Sequence, residues 1–308
     1  MRGNMKGLKL AEAYYKEIGE PWLEREFPEY KNRICAGLVG AGSECFGFDD
    51  EYSRDHDFGP SFCLWLAKED YQIIGKKMAE GYKKLPKEFM GFPARTVFPH
   101  GDGRVGVLEI DSFYCSMIGQ PDAPDTLMDW LFLPEPYLAM ATNGKVFSDP
   151  YGRFSSIRKK LLDFYPEDIR VKKIAARAAG MAQSGQYNYG RCKKRGESVA
   201  AGLALGEFIR AAISMVYLLN RVYTPFYKWM HKGMEALPIL PEIRSMLAEL
   251  VVMPEKEEKI EEICSRVVQE LRRQGLTDQT DTFLEYHANS IMDRIKDETI
   301  RSLPIMQG

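Results

Sequence analysis

The pattern of apolar residues changes once along this chain, near residue 150, and that change limits the fold more than any other feature. Before it, short apolar runs such as Ile34–Gly40 lead into glycine-rich or acidic loops, which is typical of buried strands between helices. After Tyr151, apolar residues recur at helical spacing almost without interruption. The sequence therefore predicts an α+β protein in which residues 1–150 form a mixed sheet with flanking helices and residues 151–308 form a helical bundle.

Individual elements follow from the same pattern. In the first half we expect a two-piece helix from residue 8 to about residue 31, strands over 34–40, 57–66 and 104–111, and a helix over 68–83. In the second half the expected helices are 154–163, 166–184, 194–221, 225–236, 240–251, 255–274 and 277–300. Residues 199–210 are small and apolar on most faces, which predicts the central helix of the bundle.

Composition excludes several classes of protein. The 42 Lys and Arg residues nearly balance the 44 Asp and Glu residues, so the net charge is −2 and no overall basic field favours nucleic acid. Apolar residues make up 45% and charged residues 28% of the chain, the mixture of a folded soluble protein. The longest apolar runs, such as 211–219, are shorter than the roughly 18 residues that span a bilayer. The sequence shows no signal peptide, so we expect a cytoplasmic protein without a membrane partner. It does not indicate the oligomeric state.

The six cysteines do not form a metal-binding pattern. No two of them are closer than ten residues, so no Cys-x-x-Cys pair of a zinc or redox site occurs. Cys63 and Cys115 stand among aromatic and aliphatic neighbours, which favours buried, reduced thiols over disulfides.

One segment carries recognisable chemistry. An apolar run ends near Gly42-Ser43, eleven residues follow, and Asp55 and Asp57 precede the next apolar run. Residues i and i+2 of a strand face the same side, so the two carboxylates would lie together and would repel unless a cation lay between them. Mg²⁺ held by one or two carboxylates and substrate phosphates supplies that charge. Gly42 would let the backbone approach a phosphate, and Ser43 offers a hydroxyl and an amide N–H.

This pattern resembles the nucleotidyltransferase superfamily, whose mark is Gly-Ser, roughly ten residues, and Asp-x-Asp or Asp-x-Glu. It is most similar to the aminoglycoside-type nucleotidyltransferases, whose loop carries Gly, Asp and Ser where this chain has Gly47, Asp49 or Asp50, and Ser53. The whole chain also resembles an uncharacterised bacterial family of that superfamily, a domain of unknown function. The motifs shared with that family are Trp130-Leu131, Leu133-Pro134, Gly144-Lys145-Val146-Phe147, Asp149-Pro150, Gly152, Tyr165-Pro166 and Tyr223-Thr224-Pro225-Phe226-Tyr227-Lys228-Trp229.

The resemblance implies an enzyme that moves a nucleoside monophosphate from an NTP to an acceptor hydroxyl and releases pyrophosphate. Asp55 and Asp57 would bind one or two Mg²⁺ ions, and Gly42 and Ser43 would hold the triphosphate. A third carboxylate, either Glu109 or Asp111, would complete the catalytic set as metal ligand or general base. The two acids are two residues apart on the predicted strand and would share a face, where they could instead line a solvent-facing edge.

Basic residues complete the predicted nucleotide site. Arg54 precedes the acidic pair, Arg195 ends a basic cluster, and Lys228 lies between two aromatic residues. With a net charge of −2, a small hydroxylated acceptor is favoured over nucleic acid. Three alternatives stay open: a regulatory protein that binds nucleotide without transferring it, a transferase that modifies a protein, and a template-independent RNA polymerase. The sequence does not identify the base of the NTP or the acceptor.

Overall fold

The chain folds into a four-stranded mixed sheet with helices on both faces and a second region that is helical throughout. The computed structural model describes residues 5–54, 58–95 and 103–308, with only the backbone of Arg54. These residues fall into two compact units: unit 1 comprises Met1–Ala123 and Tyr137–Asp163, and unit 2 comprises Pro124–Pro136 and Phe164–Gly308. The predicted α+β class and the helical C-terminal region are confirmed.

The bounds of the elements are as follows. The strands are β1 Cys35–Leu38, β2 Cys63–Leu66, β3 Gly106–Glu109 and β4 Lys145–Ser148. The first eight helices are α1 Gly7–Tyr14, α2 Glu20–Glu26, α3 Ser43–Phe46, α4 Lys68–Tyr82, α5 Ile110–Ile118, α6 Leu127–Phe132, α7 Glu135–Thr142 and α8 Arg153–Leu162. The next eight are α9 Glu167–Met181, α10 Gly190–Lys194, α11 Ser198–Leu219, α12 Tyr227–Gly233, α13 Ile243–Val252, α14 Glu257–Arg273, α15 Leu284–Met292 and α16 Glu298–Ser302. Short π-helical turns cover Tyr15–Gly19 and Ala182–Tyr189, and 3₁₀ turns cover Lys31–Arg33, Tyr52–Arg54 and Met234–Ala236.

The order and direction of the strands decide which loops meet. The order is β3-β2-β1-β4, with β1 antiparallel to both β2 and β4 and with β2 parallel to β3. Gly37 lies opposite Cys63, and Cys63 lies opposite Gly106, so the end of β1 and the starts of β2 and β3 share one edge of the sheet. We call this edge the loop edge. Glu109, opposite Leu66, lies at the other edge.

Helices cover both faces of the sheet, which explains why β1 and β2 are apolar at every position except the small Gly37. Side chains alternate along a strand, so neighbouring residues of β2 enter different cores. Leu64 packs with Tyr14 and Met78, on the side covered by α1 and α4. Trp65 stacks on Phe154 of α8 at a ring distance of 4.2 Å, on the opposite side. Strands buried on both faces read as continuous apolar runs, and the sequence pattern predicts them for that reason.

Two of the predicted strands are too long. The chain is not in a strand over 58–62, and β2 begins only at Cys63, because Gly59 has φ +144° and Pro60 has no N–H for a sheet hydrogen bond. The strand predicted over 104–111 ends at Glu109, since Ile110 already begins α5. Asp111 therefore lies in the first turn of a helix, and the prediction that it shares a strand face with Glu109 is wrong.

In unit 2 the central helix is α9, which packs against α11 and α15. It is buried on nearly every face, and even Lys172 is enclosed, with its ammonium donating to the carbonyls of Leu303 and Pro304 at 2.8 Å. The prediction that 199–210 is the central helix is wrong. These residues belong to the first part of α11, where Val199 and Leu203 are 76% and 69% exposed; small apolar residues do not by themselves show which neighbour will cover them.

Among the described residues, α11 is the one helix whose length and apolarity would suffice to cross a membrane. Less than half of its apolar window, 44%, is buried inside the unit. The buried part is the C-terminal one, which includes Phe208, Met215 and Leu218 and forms part of the core. Core helices of soluble proteins meet the same criteria of length and composition, so this helix gives weak evidence for a membrane protein.

The tight turn into β4 gives a test of the sheet. Gly144 has φ +63°, and a Cβ there would lie 1.9 Å from the carbonyl oxygen of Leu38 in β1. Gly119 also has a positive φ, +77°, but a Cβ there would meet nothing within 4 Å. We expect Gly119→Ala to cost about 1–2 kcal/mol of unfolding free energy and Gly144→Ala to cost roughly 1–3 kcal/mol more. Urea unfolding followed by circular dichroism measures both; equal losses would contradict the predicted clash.

Candidate functional site

The loop that follows β1 is held by its glycine conformations and by the side chain of Asn143. Gly40 and Gly42 have φ values of +122° and +142°, a region that favours glycine. The amide of Gly40 donates to Asn143 Oδ1 at 2.9 Å, and Asn143 Nδ2 donates to the Gly40 carbonyl at 2.8 Å. The two hydrogen bonds clamp the exit of β1 to the turn that leads into β4. The Gly-Ser loop is therefore a fixed feature of the loop edge.

Gly42 and Ser43 lie where this loop enters α3. A Cβ on Gly42 would lie 2.8 Å from a carboxylate oxygen of Glu44, and the φ of +142° is unfavourable for other residues, so the turn favours glycine. Ser43 is the first residue of α3 and is half-buried, and its carbonyl accepts a hydrogen bond from the amide of Phe48 at 2.9 Å. Both predicted phosphate-binding residues thus lie in a tight, partly exposed turn at the end of β1.

A buried ion pair lies directly beneath that turn. Glu44 and Arg95 have side chains that are only 5% and 7% exposed, and Arg95 Nη1 donates to Glu44 Oε1 at 2.9 Å. The same nitrogen contacts Ser61 Oγ at 3.2 Å, just before β2. This contact ties the loop after β1 to the segment that leads into β2. Sequence reasoning missed the pair, because the two residues are 51 positions apart and no local pattern connects them.

The acidic residues Asp49 and Asp50 of the loop after α3 have structural roles. Asp49 is buried, accepts from the amide of Gly7 at 2.9 Å at the start of α1, and lies 3.8 Å from the Lys6 ammonium. Asp50 and Ser53 close a small turn by mutual hydrogen bonds, and those bonds hold the pKa of the Asp50 carboxyl below its usual value. These two acids shape the loop that leads towards Asp55.

Asp55 and Asp57, the predicted metal ligands, lie outside the described residues, and so does the side chain of Arg54. Among residues 5–54, 58–95 and 103–308, no group of three or more His, Cys, Asp or Glu side chains is arranged to hold a metal ion. The described residues therefore provide no metal site of their own, and the prediction of Mg²⁺ depends on Asp55 and Asp57.

The two candidates for the third carboxylate have different surroundings. Glu109 lines a cavity of about 470 Å³ whose wall also includes Gly40, Ala41 and Ser112, and it accepts a hydrogen bond from the Ser112 hydroxyl. Asp111 is not part of that wall and forms an ion pair with Arg153 of α8. Glu109 thus shares a cavity with the loop after β1, although the strand register puts it at the opposite edge of the sheet.

Arg195 and Lys228, the predicted basic contacts, belong to unit 2. Arg195 directly follows α10 and is exposed. Lys228 lies in the first turn of α12 with its ammonium 4.4 Å from the centre of the Trp229 ring, a cation–π contact. Both side chains are accessible to an anion. Lys228 lies within a short helix, and Arg195 lies just after one.

Thiol chemistry does not contribute to this region. All six cysteines are unpaired, and Cys35, Cys45, Cys63 and Cys264 are buried. Cys115 is exposed, so the prediction of a buried thiol is wrong for it. Burial raises the pKa of the Cys63 thiol to about 12 and that of the Cys45 thiol well above its usual value. Such thiols stay protonated and unreactive at neutral pH.

Unit 2 contains a larger cavity that the sequence analysis did not predict. Its volume is about 830 Å³, and helices α6, α7, α9, α11 and α12 contribute to its wall. Glu135, Lys173 and Ser214 are buried polar residues on that wall, and the partly exposed Arg177 lies beside them. The residues that line it come from distant parts of the chain. Several of them belong to the motifs shared with the uncharacterised family: Leu131, Leu133, Pro134, Thr224, Pro225 and Tyr227.

Three comparisons with known proteins bear on this chain. Residues 130–230, about a third of the chain, match a family described as a domain of unknown function, DUF4037. The match covers the motifs from Trp130 to Trp229 on which the resemblance to an uncharacterised family depends. No curated protein matches the chain. A solved structure of a nucleotidyltransferase-like protein from Exiguobacterium sibiricum is similar over 91% of this chain and 81% of that one, with 10% identity and a TM-score of 0.38.

The buried pair beneath the loop gives a test. Arg95→Met would leave the Glu44 carboxylate buried without its partner, and we expect a loss of about 3–5 kcal/mol of unfolding free energy. Lys160→Met is the matched control, because Lys160 pairs with Asp122 at the surface with both side chains 53% exposed. The control should lose no more than about 1 kcal/mol. Chemical denaturation measures both variants; similar small losses would show that the Glu44–Arg95 pair does not hold the loop.

Proposed function

We propose that this protein is a Mg²⁺-dependent nucleotidyltransferase that moves a nucleoside monophosphate from an NTP to a hydroxyl of a small acceptor. The observation that carries the proposal is the antiparallel pairing of β1 and β2, which brings the Gly42-Ser43 turn and the segment that leads into β2 to the same edge of the sheet. Asp55 and Asp57 belong to that segment in the sequence. The spacing of the motif and the direction of the strands therefore agree.

Each residue of the proposed nucleotide site would have one role. Gly42 permits close approach of the triphosphate, and Ser43 donates its amide and hydroxyl to phosphate oxygens. Asp55 and Asp57 would hold one or two Mg²⁺ ions, which neutralise phosphate charge when bound. Arg54, Arg195 and Lys228 are proposed as further phosphate contacts.

Catalysis of this kind needs no covalent intermediate. Rate enhancement comes mainly from positioning the reactants and from charge stabilisation, which require a rigid site. The clamp of Asn143 on Gly40 and the buried Glu44–Arg95 pair provide that rigidity around the turn. Because of the loop residues Gly47, Asp49, Asp50 and Ser53, we propose that the reaction is similar to that of the aminoglycoside-type nucleotidyltransferases. We also propose that the protein is cytoplasmic.

Two other functions use the same motif. A regulatory protein would bind an NTP without releasing pyrophosphate. A transferase for proteins would attach the nucleoside monophosphate to a side-chain hydroxyl of a protein. An NTP labelled at its α-phosphate tests the transferase for proteins. Label that stays on protein in a denaturing gel would favour a protein acceptor over a small one.

The first test addresses the acidic pair. We expect the double variant Asp55→Asn, Asp57→Asn to lose Mg²⁺-dependent NTP binding by about 100-fold or more, since two charged ligands disappear. Asp163→Asn is the control, because the Asp163 side chain is 69% exposed and, within the described part of the chain, its one ion pair is with Lys159 at the surface. Isothermal titration calorimetry with each NTP and Mg²⁺ measures binding and identifies the preferred base. Unchanged binding in the double variant would refute the assignment of the site.

The second test separates the two candidates for the third carboxylate. The assay measures pyrophosphate release with glycerol and sugars as trial acceptors. Glu109→Gln should reduce this release by roughly 100-fold or more, which is the usual loss for a general base. Asp111→Asn should change it by less than about threefold, because Asp111 is engaged by Arg153 and its loss removes only a surface ion pair.

The register of the sheet suggests what to examine if Glu109→Gln keeps its activity. The start of β3, not its end, lies at the loop edge. A carboxylate that reaches this edge from β3 would therefore precede Gly106 in the chain, and Asp102 is an acidic residue of that segment. Asp102 lies outside the described residues. Loss of activity in Asp102→Asn, with activity kept in Glu109→Gln, would contradict the role proposed for Glu109.

A further inference from the structure

The cavity of about 830 Å³ in unit 2 has the size of a site for a small organic molecule. Much of its wall is apolar and comes from Leu131, Leu133, Leu203 and Met230. A few polar side chains converge on one part of it. Ligand sites in proteins combine these two features, an apolar wall and a small number of placed polar groups.

Lys173 of α9 is the unusual group in this wall. Its side chain is 4% exposed, and in the described part of the chain its ammonium has one hydrogen-bond acceptor, the carbonyl of Leu131 at 3.1 Å. The ammonium also lies 5.2 Å from the centre of the Tyr165 ring. No carboxylate lies within ion-pair distance of it among the residues that the structure describes. An ammonium has three N–H donors, so most of the hydrogen-bonding capacity of Lys173 is unused.

The neighbouring acid does not neutralise Lys173. Glu135 is already engaged, because Arg177 Nη2 donates to it at 2.9 Å and the Ser214 hydroxyl contacts both of its oxygens at 3.2–3.3 Å. Arg177 Nε also donates to Ser214 Oγ at 2.8 Å. Glu135, Arg177 and Ser214 thus form a satisfied network beside Lys173. Arg177 also donates to the Gly308 carbonyl at 2.9 Å, and the other charged side chains of the lining, Glu207 and Arg210, are exposed.

A second polar residue of the lining has no side-chain hydrogen bond within the part of the chain that the structure describes. Thr224 is 4% exposed, and its hydroxyl oxygen is fully enclosed, so it does not face the cavity. The unused N–H donors of Lys173, not the Thr224 hydroxyl, are therefore available to a ligand oxygen.

We propose that the cavity binds a small molecule with a single carboxylate on an apolar body, and that Lys173 binds the carboxylate. The unused N–H donors of the enclosed Lys173 ammonium and the apolar wall match a monoanion better than a phosphate ester or a cation. The site stands on unit 2 alone, so it does not depend on nucleotidyl transfer.

Burial supplies a pH signature for this site. It lowers the pKa of Lys173 to about 8, with the positive charge of Arg177 acting in the same direction and Glu135 opposing. The ammonium is therefore present at pH 7 and largely lost well above pH 8. A carboxylate bound by Lys173 should bind more weakly as the pH rises through that value.

The probes are phenylacetate and its neutral amide, phenylacetamide, which have nearly the same shape and differ in charge. We expect wild-type full-length protein to bind phenylacetate about tenfold more tightly than the amide at pH 7, the effect of one charge-assisted hydrogen bond. Saturation-transfer NMR titrations measure both affinities. The preference should shrink towards pH 9.5. Equal binding of the two probes, or binding of neither, would overturn the proposal.

Three variants locate the site. Lys173→Met should remove the preference for phenylacetate. Lys172→Met is the matched control, because Lys172 is the next residue of α9, equally enclosed, and directed to Leu303 and Pro304 rather than to the cavity. Thr224→Val is a second control, because it removes an enclosed hydroxyl that has no partner among the described residues, so stability and the preference for phenylacetate should both be kept. A preference that survives in Lys173→Met would refute the site.

Discussion

The antiparallel pairing of β1 with β2 is the constraint on which unit 1 depends. Each strand has four residues and is buried on both faces, so each must be apolar or small and neither can shift its register without moving side chains into the wrong core. The partnership of Gly37 with Cys63 then fixes where the chain leaves β1 and where it enters β2. The loop with Gly42 and Ser43 lies at that edge because it directly follows the end of β1, which the register places opposite the start of β2.

The polar groups at this edge give the loop its shape. A buried ion pair such as Glu44–Arg95 loses much of its Coulomb energy to desolvation, so its value lies more in specifying a geometry than in net stability. The two hydrogen bonds between Asn143 and Gly40 act in the same way, since a side-chain amide here replaces a backbone partner. Together they make the turn a rigid element, as a proposed triphosphate site requires.

Much of the fold could be predicted from local pattern. The helix predicted over 68–83 occurs as α4, and most of the helices predicted after residue 150 occur within a few residues of their expected bounds, because helical spacing of apolar residues is a local property. The end of β3 could not be predicted. Glu109 and Asp111 fit a strand pattern, but α5 begins between them and packs Phe113 against Trp65. Contacts of this kind are tertiary and have no local signal.

By itself the sequence determined the class of the fold, the helical character of the C-terminal region, and the Gly-Ser and Asp-x-Asp motif on which the proposed chemistry depends. These features follow from residues that are neighbours in the chain. Tertiary structure alone decided that Glu44 meets Arg95, that Asp111 pairs with Arg153, and that Lys173 is enclosed beside a cavity. The physical reason is that burial and charge pairing depend on which distant segments pack together, and sequence spacing does not specify that.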